Sequence, residues 1–212
     1  MRKRVFLIGT GLLGAFALWT AAVCQVDVQP IGPRGSEVGF AALNRLVHSA
    51  TGVHMPLYTL TDWLGLVAVP VGLGFALLGL VQWIKRRSIR KVDRSLLVLG
   101  VFYAAVLAVY VFFETHVVNY RPVLIEGVLE ASYPSSTTLL TLCVMPTAAM
   151  QLGSRIKNRA LRNAVIIAIA VFAGGMVLGR LVSGVHWFTD IVGGVLLSAG
   201  LVSMYCAFCK GE

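Results

Sequence analysis

Charge is what this chain has least of. Only 13% of its 212 residues are Asp, Glu, Lys or Arg, against about 25% in an ordinary soluble domain. Acids are the scarcer half: nine Asp and Glu stand against 18 Lys and Arg, a net charge of +9. No carboxylate cluster of the kind that holds magnesium can be picked out. No charged residue falls deep inside an apolar run and no inverted repeat is detectable, which argues against a transporter. Cysteine is thin as well. Cys24 and Cys143 lie near or inside apolar runs, and Cys206-x-x-Cys209 lacks the second pair or neighbouring His of a zinc or redox site. The four read as small apolar residues, and a disulfide framework is excluded. There is no low-complexity tract, no repeat, and no connection long enough to form a separate soluble domain.

What fills the chain instead is hydrocarbon. Hydrophobic residues make up 58% of it and the mean hydropathy is +0.83. A spanning helix needs roughly 20 apolar residues, and six runs qualify: 5–24, 63–84, 95–113, 136–152, 164–183 and 188–208. The expectation is an all-α integral membrane bundle of six transmembrane helices, with residues 1–212 as one membrane domain.

The basic residues orient that bundle. Arg2, Lys3 and Arg4 precede the first run. Lys85, Arg86, Arg87, Arg90, Lys91 and Arg94 follow the second. Arg155, Lys157, Arg159 and Arg162 follow the fourth, and Lys210 follows the sixth. Positive loops stay in the cytoplasm, so both termini are expected inside. The excess of positive charge is therefore a topology signal, and no nucleic-acid partner is expected, because these residues sit in short flanks of apolar runs. His48, His54, His116 and His186, with Arg121, Arg180 and Asp190, all fall on the opposite, outer side or at its edge. The first run could also be read as a secretory signal, but Val23 directly before Cys24 fits a small-residue cleavage site poorly. Residue 25 emerges outside in either case.

The longest outer loop runs from Gln25 to Thr61. Phe40, Leu43, Leu46 and Val47 recur there at spacings of three or four, which predicts a short amphipathic helix in the interface. It could cap the bundle or gate lipid access. His48 and His54 read as interfacial polar residues rather than ligands.

Three segments carry the chemistry. In Gly179-Arg180-Leu181-Val182-Ser183-Gly184-Val185-His186-Trp187-Phe188-Thr189-Asp190, His186 and Asp190 are four apart, one above the other if the segment is helical. The carboxylate could then hold one ring nitrogen and leave the other to attack, while Arg180 offers a guanidinium fork to phosphate oxygens. In Asn119-Tyr120-Arg121-Pro122, the proline biases Arg121 to extended backbone, which ends the preceding helix and frees the guanidinium to reach over the bundle mouth; snorkelling to headgroups explains it equally well. Pro134-Ser135-Ser136-Thr137 reads as a helix start, and free N–H groups there also make an anion site.

Together these segments resemble the type 2 phosphatidic acid phosphatase family of membrane lipid phosphatases. That family carries a Lys, six residues and Arg-Pro; then Pro-Ser-Gly-His; then Ser- or Gly-Arg, five residues, His, three residues and Asp. The third motif is intact here as Gly179-Arg180, His186 and Asp190. The first keeps Arg121-Pro122 and the second keeps Pro134-Ser135. The resemblance implies that His186 is the nucleophile, through a phosphohistidine, and that Asp190 orients it. It also implies that Arg121, Arg180 and the Ser135, Ser136 and Thr137 turn bind the phosphoryl oxygens. No metal or other cofactor is implied. The substrate implied is a lipid phosphate or pyrophosphate of the phosphatidic acid, phosphatidylglycerophosphate or undecaprenyl pyrophosphate class, met at the outer face of the cell membrane among membrane lipids. No protein partner is evident.

Two positions depart from the family. Glu114 stands where the Lys belongs, and Thr137 stands where the family's proton-donating His belongs. Glu114 could replace that acid, its carboxyl pushed toward a useful range by apolar walls and phosphate. It could instead pair with Arg121 or Arg180 while a good leaving group departs unaided. The chain could also be a catalytically inactive lipid-phosphate binder or scaffold. His116 is a further candidate acid.

Overall fold

The computed structural model describes residues 2–209, so Lys210, read above as part of the inner charge pattern, lies outside the described residues. Eight helices follow one another: α1 (Arg2–Gln25), α2 (Ala41–Thr51), α3 (Met55–Gly65), α4 (Ala68–Arg86), α5 (Arg94–Thr115), α6 (Ser136–Arg155), α7 (Arg159–Val182) and α8 (Phe188–Cys209). Short 3₁₀ turns lie at Pro33–Gly35 and Ile89–Lys91. Among the described residues there is no strand, only isolated bridges such as Tyr120 to Ala131.

Among the described residues, five helical stretches are long and apolar enough to cross a membrane: α1, the α3–α4 rod over Met55–Arg86, α5, α7 and α8. The chain is thus an all-helical, multi-pass membrane protein. The expected second run, 63–84, begins too late. Its helix starts at Met55 and is interrupted only by a turn at Leu66 and Val67. The expected fourth run is a helix of 20 residues, but it is the polar one. Thr138, Thr141, Thr147 and Gln151 of α6 are buried; Thr147 and Gln151 are met inside the bundle, as hydrocarbon requires, while the hydroxyls of Thr138 and Thr141 are buried without a partner. Thr147 Oγ1 lies 3.0 Å from Tyr103 Oη, and Gln151 donates to Tyr205 Oη at 2.6 Å. The helix therefore lacks the apolar surface of a lipid-facing span because its neighbours α3, α4, α5, α7 and α8 surround it. The outer helices show the converse, with Leu18, Val101 and Val171 each about 70% or more uncovered by protein.

α1 lies along α8 from end to end. Phe6 meets Phe208 edge-on at one end, and Trp19 Nε1 donates to the carbonyl of Thr189 at the other, 3.2 Å away. Because the long helices alternate in direction, the basic segments around Arg2, Lys85–Arg94 and Arg155–Arg162 share one end. Asn119–Ser135 and Ser183–Trp187 share the other. At the basic end Asp93 accepts from Gln82 Nε2 at 2.8 Å and Arg86 Nη1 at 2.9 Å. Those bonds hold its carboxyl below the usual carboxylate range.

The interfacial helix exists as α2, with its apolar stripe turned outward as such a helix requires. Leu46 is 67% exposed while Asn44 is fully buried. Asn44 Nδ2 donates to Gly39 O and Thr189 Oγ1, and its Oδ1 accepts from Thr189 N at 3.2 Å. The polar side chain goes inward because it clamps the start of α8, and the apolar stripe is left facing out. The glycines of the last two runs differ in what they admit. Gly174 and Gly175 face open space. Gly179 admits Thr61 of α3, while Gly193 and Gly194 admit Tyr133 and Thr138.

Candidate active site

His186 does not share a helix with Asp190. It sits in the turn Ser183–Trp187 that joins α7 to α8, and Asp190 lies in the first turn of α8. The turn needs Gly184, at φ +69° and so close to α2's end that an added Cβ would fall 1.8 Å from Gly52 O. His48 Nε2 lies 3.1 Å from Gly184 O on the same side. Trp187 is anchored by donation of its ring N–H to Tyr120 O at 2.8 Å. Asp190 Oδ2 accepts from Trp187 N at 2.8 Å, the third-position carboxylate of a helix reaching back to the cap residue.

The imidazole is buried, and its two nitrogens meet opposite chemistry. Arg180 Nη2 reaches Nε2 at 3.0 Å and Arg121 Nη1 reaches it at 3.4 Å. A guanidinium can only donate, so Nε2 is the bare, accepting nitrogen. Nδ1 faces Ser132 Oγ at 3.0 Å, and Ser132 Oγ donates to Asp190 Oδ2 at 2.5 Å. The direct approach of Nδ1 to Asp190 Oδ2 is 3.8 Å, beyond hydrogen-bond reach. Asp190 accepts a third bond from Asn119 Nδ2 at 3.2 Å. Burial, then the charges of Arg121 and Arg180, push His186 well below its usual range. The ring is neutral at neutral pH, as a nucleophile must be.

The arginines are short of anions. Arg180 is fully buried, and its ion-pair partner, Asp62, stands 3.5 Å away and is itself half exposed. Tyr58 of α3 offers its ring face to both, 5.0 Å from Arg180 Cζ and 5.7 Å from Arg121 Cζ. Arg121 Nε lies 3.0 Å from Glu130 Oε2, out of line for a hydrogen bond, and neither Nε finds an acceptor. Two guanidiniums thus converge on one neutral nitrogen with donors to spare, a cradle that a phosphoryl group would complete.

Of the expected phosphate-binding turn, Ser135 caps α6 by position but not by a side-chain bond. Its Oγ is buried without a partner, and its N–H is engaged by Asp190 O at 3.1 Å. Pro134 falls before the cap, one position earlier than a first helical turn. Thr137 packs its methyl toward Gly65 of α3. Glu114 is exposed at the end of α5 and, with Ser132, Tyr133, Pro134 and Ser136, lines a cavity of about 10 Å³. The carboxylates that meet the arginines are Glu130 and Asp62, not Glu114. His116 stacks on Phe112 at 4.4 Å and is exposed.

Ser132, Asn119, Glu130, Asp62 and Tyr58 were not anticipated. One signal could have found three of them. Asn119 and Arg121 alternate on an extended segment, as do Glu130 and Ser132. Arg121 N donates to Glu130 O, and Ser132 N to Asn119 O. A period of two puts alternate residues on one face, here toward His186. Asp62 and Tyr58 are four apart on α3 and carried no comparable signal.

A family model described as the PAP2 superfamily matches residues 100–210, just over half of the chain. Among solved structures, the chain is similar to one described as the first transmembrane PAP2 type phosphatidylglycerolphosphate phosphatase from Bacillus subtilis. Identity is 21%, the TM-score is 0.57, and the match covers 94% of this chain and 93% of that one. At that identity the likeness speaks for the fold. No curated protein matches the chain.

Proposed function

The chain belongs to the PAP2 superfamily, and from that premise we propose that it is a metal-independent lipid phosphatase working through a phosphohistidine on His186. The observation that carries this reading is the convergence of Arg121 and Arg180 on His186 Nε2. In the first step the Nε2 lone pair bonds to phosphorus, and the phosphorus–oxygen bond to the lipid breaks with its electron pair on the leaving oxygen. The guanidiniums hold the non-bridging oxygens as charge spreads over them. Glu114 is the residue this reading assigns to protonate an alkyl leaving oxygen, by its place at the family's first-motif Lys position; it lines a small cavity with Ser132 and Ser136. A pyrophosphate departs as phosphate and asks less of that acid. Water then attacks phosphorus and gives a proton to the ionised Glu114, the nitrogen–phosphorus bond breaks, its pair returns to Nε2, and phosphate leaves. The substrate class is a lipid phosphate or pyrophosphate, and the site faces the outer leaflet, a placement supported by the basic segments at the opposite end.

The test is phosphate release by detergent-solubilised protein with chelator present. Phosphatidic acid, phosphatidylglycerophosphate and undecaprenyl pyrophosphate are offered, with His186→Ala alongside. Release should vanish in the variant, since no other side chain holds an accepting nitrogen in the arginine cradle. Release that persists at the wild-type rate removes the nucleophile assignment. A folded protein that binds inorganic phosphate but releases none from any lipid is the non-catalytic binder that Thr137, in place of the family's His, would explain.

A further inference from the structure

We infer that Ser132 is a positioning residue that links Asp190 to the nucleophile, so that the carboxylate fixes the His186 tautomer through a hydroxyl rather than by touching the ring. The inference rests on the phosphohistidine reading above and deepens it.

The direction of each bond in the chain is determined from its ends. Asp190 is met only by donors: Ser132 Oγ, Asn119 Nδ2 and Trp187 N. The single hydroxyl proton of Ser132 is therefore spent on Asp190, and Ser132 can only accept from His186 Nδ1. Nδ1 must carry the ring proton. The opposite edge agrees, since Arg180 Nη2 and Arg121 Nη1 point donors at Nε2; with Asp62 and Glu130 beside them as other acceptors, the guanidiniums follow the tautomer rather than impose it. Without Ser132, a gap of 3.8 Å separates Nδ1 from Asp190 Oδ2, too long for a direct bond to take over. Ser132 is itself buried and its backbone N–H is tied to Asn119 O at 2.9 Å, so the hydroxyl has a fixed origin. As Nε2 takes up phosphorus the ring becomes positively charged. The Nδ1 proton stays on the ring, and the Ser132 oxygen and the Asp190 charge behind it stabilise that state. No proton is transferred.

Two consequences separate this from a merely structural hydroxyl. Asp190→Asn places an amide where the carboxylate stood. An amide N–H can donate to Ser132, which frees the hydroxyl proton to turn toward Nδ1 and favours the Nε2–H form, which cannot attack. Ser132→Ala removes the link itself, so adding Asp190→Asn should cost little more. The experiment measures kcat and KM for Ser132→Ala, Asp190→Asn and the double variant. It also takes ¹⁵N spectra of the labelled His186 ring, with His186→Ala identifying its signals. We expect kcat to fall about 10²- to 10⁴-fold in each single variant, by analogy with loss of the orienting carboxylate in a Ser-His-Asp triad, with KM within about threefold because the arginines are untouched. The double variant should match the worse single within about threefold, and the spectrum should move from Nδ1–H in the wild type to a mixture in Ser132→Ala. Multiplicative losses, or a ring that keeps Nδ1–H without Ser132, overturn the inference. The spectra read the ring whether or not a lipid is turned over, so failure of the phosphatase reading and failure of the serine link are distinguishable. Binding of vanadate to each variant checks that the cradle is folded.

Discussion

At the scale of single residues, the carboxylates of the site lie in two places. The carboxylates facing the arginines are Glu130 and Asp62, while Glu114 lies behind Ser132 beside the α6 start. The two kinds of carboxylate should fail differently. Glu114→Gln is expected to slow release from an alkyl phosphate about a hundredfold, the low end for a positioned acid, and to leave a pyrophosphate within about threefold. Glu130→Gln is expected to raise KM for both substrates alike, since it loosens Arg121 rather than the proton supply. Comparing the two variants on both substrates checks the assignment, and equal losses on both from Glu114→Gln would end its role as acid. His186, Asp190 and Arg180 were legible from one short segment, and Arg121 from its Arg-Pro motif, and the four are brought together. Ser132 belongs to no such motif; its partners lie 54 and 58 residues away, and only the fold makes that approach. The i,i+4 spacing suggested direct contact, yet the turn at Gly184 displaces His186 from the helix and opens the room that Ser132 occupies.

At the scale of elements, α2 and the Gly184 turn hold the site although neither touches phosphate. Asn44 is the one α2 side chain that reaches α8 with both ends of its amide. Asn44→Leu should lower the apparent unfolding free energy by about 1–3 kcal/mol, because buried partners on Thr189 are left unmet. Leu46→Ala, on the outward face, should change it by less than about 0.5 kcal/mol. Thermal unfolding in one detergent measures both, and a larger loss from Leu46→Ala would mean that the α2 faces are assigned the wrong way round. The apolar period announced this helix, and its stripe faces out as an interfacial helix requires. In water the apolar stripe of a helix turns to the core; beside lipid it can turn out, and a single amide inside then decides the packing. α6, expected as the fourth run, shows the converse, with Thr138, Thr141, Thr147 and Gln151 turned inward among its helix neighbours. Gly184→Ala is expected to be worse than either α2 change for turnover, since positive φ and the approach of Gly52 O both oppose a side chain. Its kcat should fall at least tenfold as His186 moves from the arginines.

At the scale of the whole molecule, the buried cations make stability depend on anions and on pH. Arg121 and Arg180 converge on Nε2 of one neutral ring, so a bound phosphate or vanadate should relieve their repulsion. At a concentration of 100 times Kd the gain is about 2.7 kcal/mol, and Arg180→Lys, which cannot present the same fork, should lose most of it. Protonation acts from the other side. His186 has an ordinary value of 6.5 and is pushed well below it in the folded protein by burial and then by Arg121 and Arg180. Above pH 6.5 the ring is neutral whether the chain is folded or not, and its environment adds no pH dependence. As pH falls below 6.5 the unfolded chain takes up a proton that the folded one refuses, so stability declines through that window. The free enzyme should nonetheless keep its nucleophile, with kcat/KM showing no acid limb at 6.5 from this group. Unfolding midpoints from pH 7.5 to 5 for wild type and His186→Gln measure the effect, the variant being expected to fall more shallowly. Parallel curves, together with an acid limb of kcat/KM centred near 6.5, would mean that the ring titrates as if exposed, and that the two guanidiniums do not converge on it in the working protein.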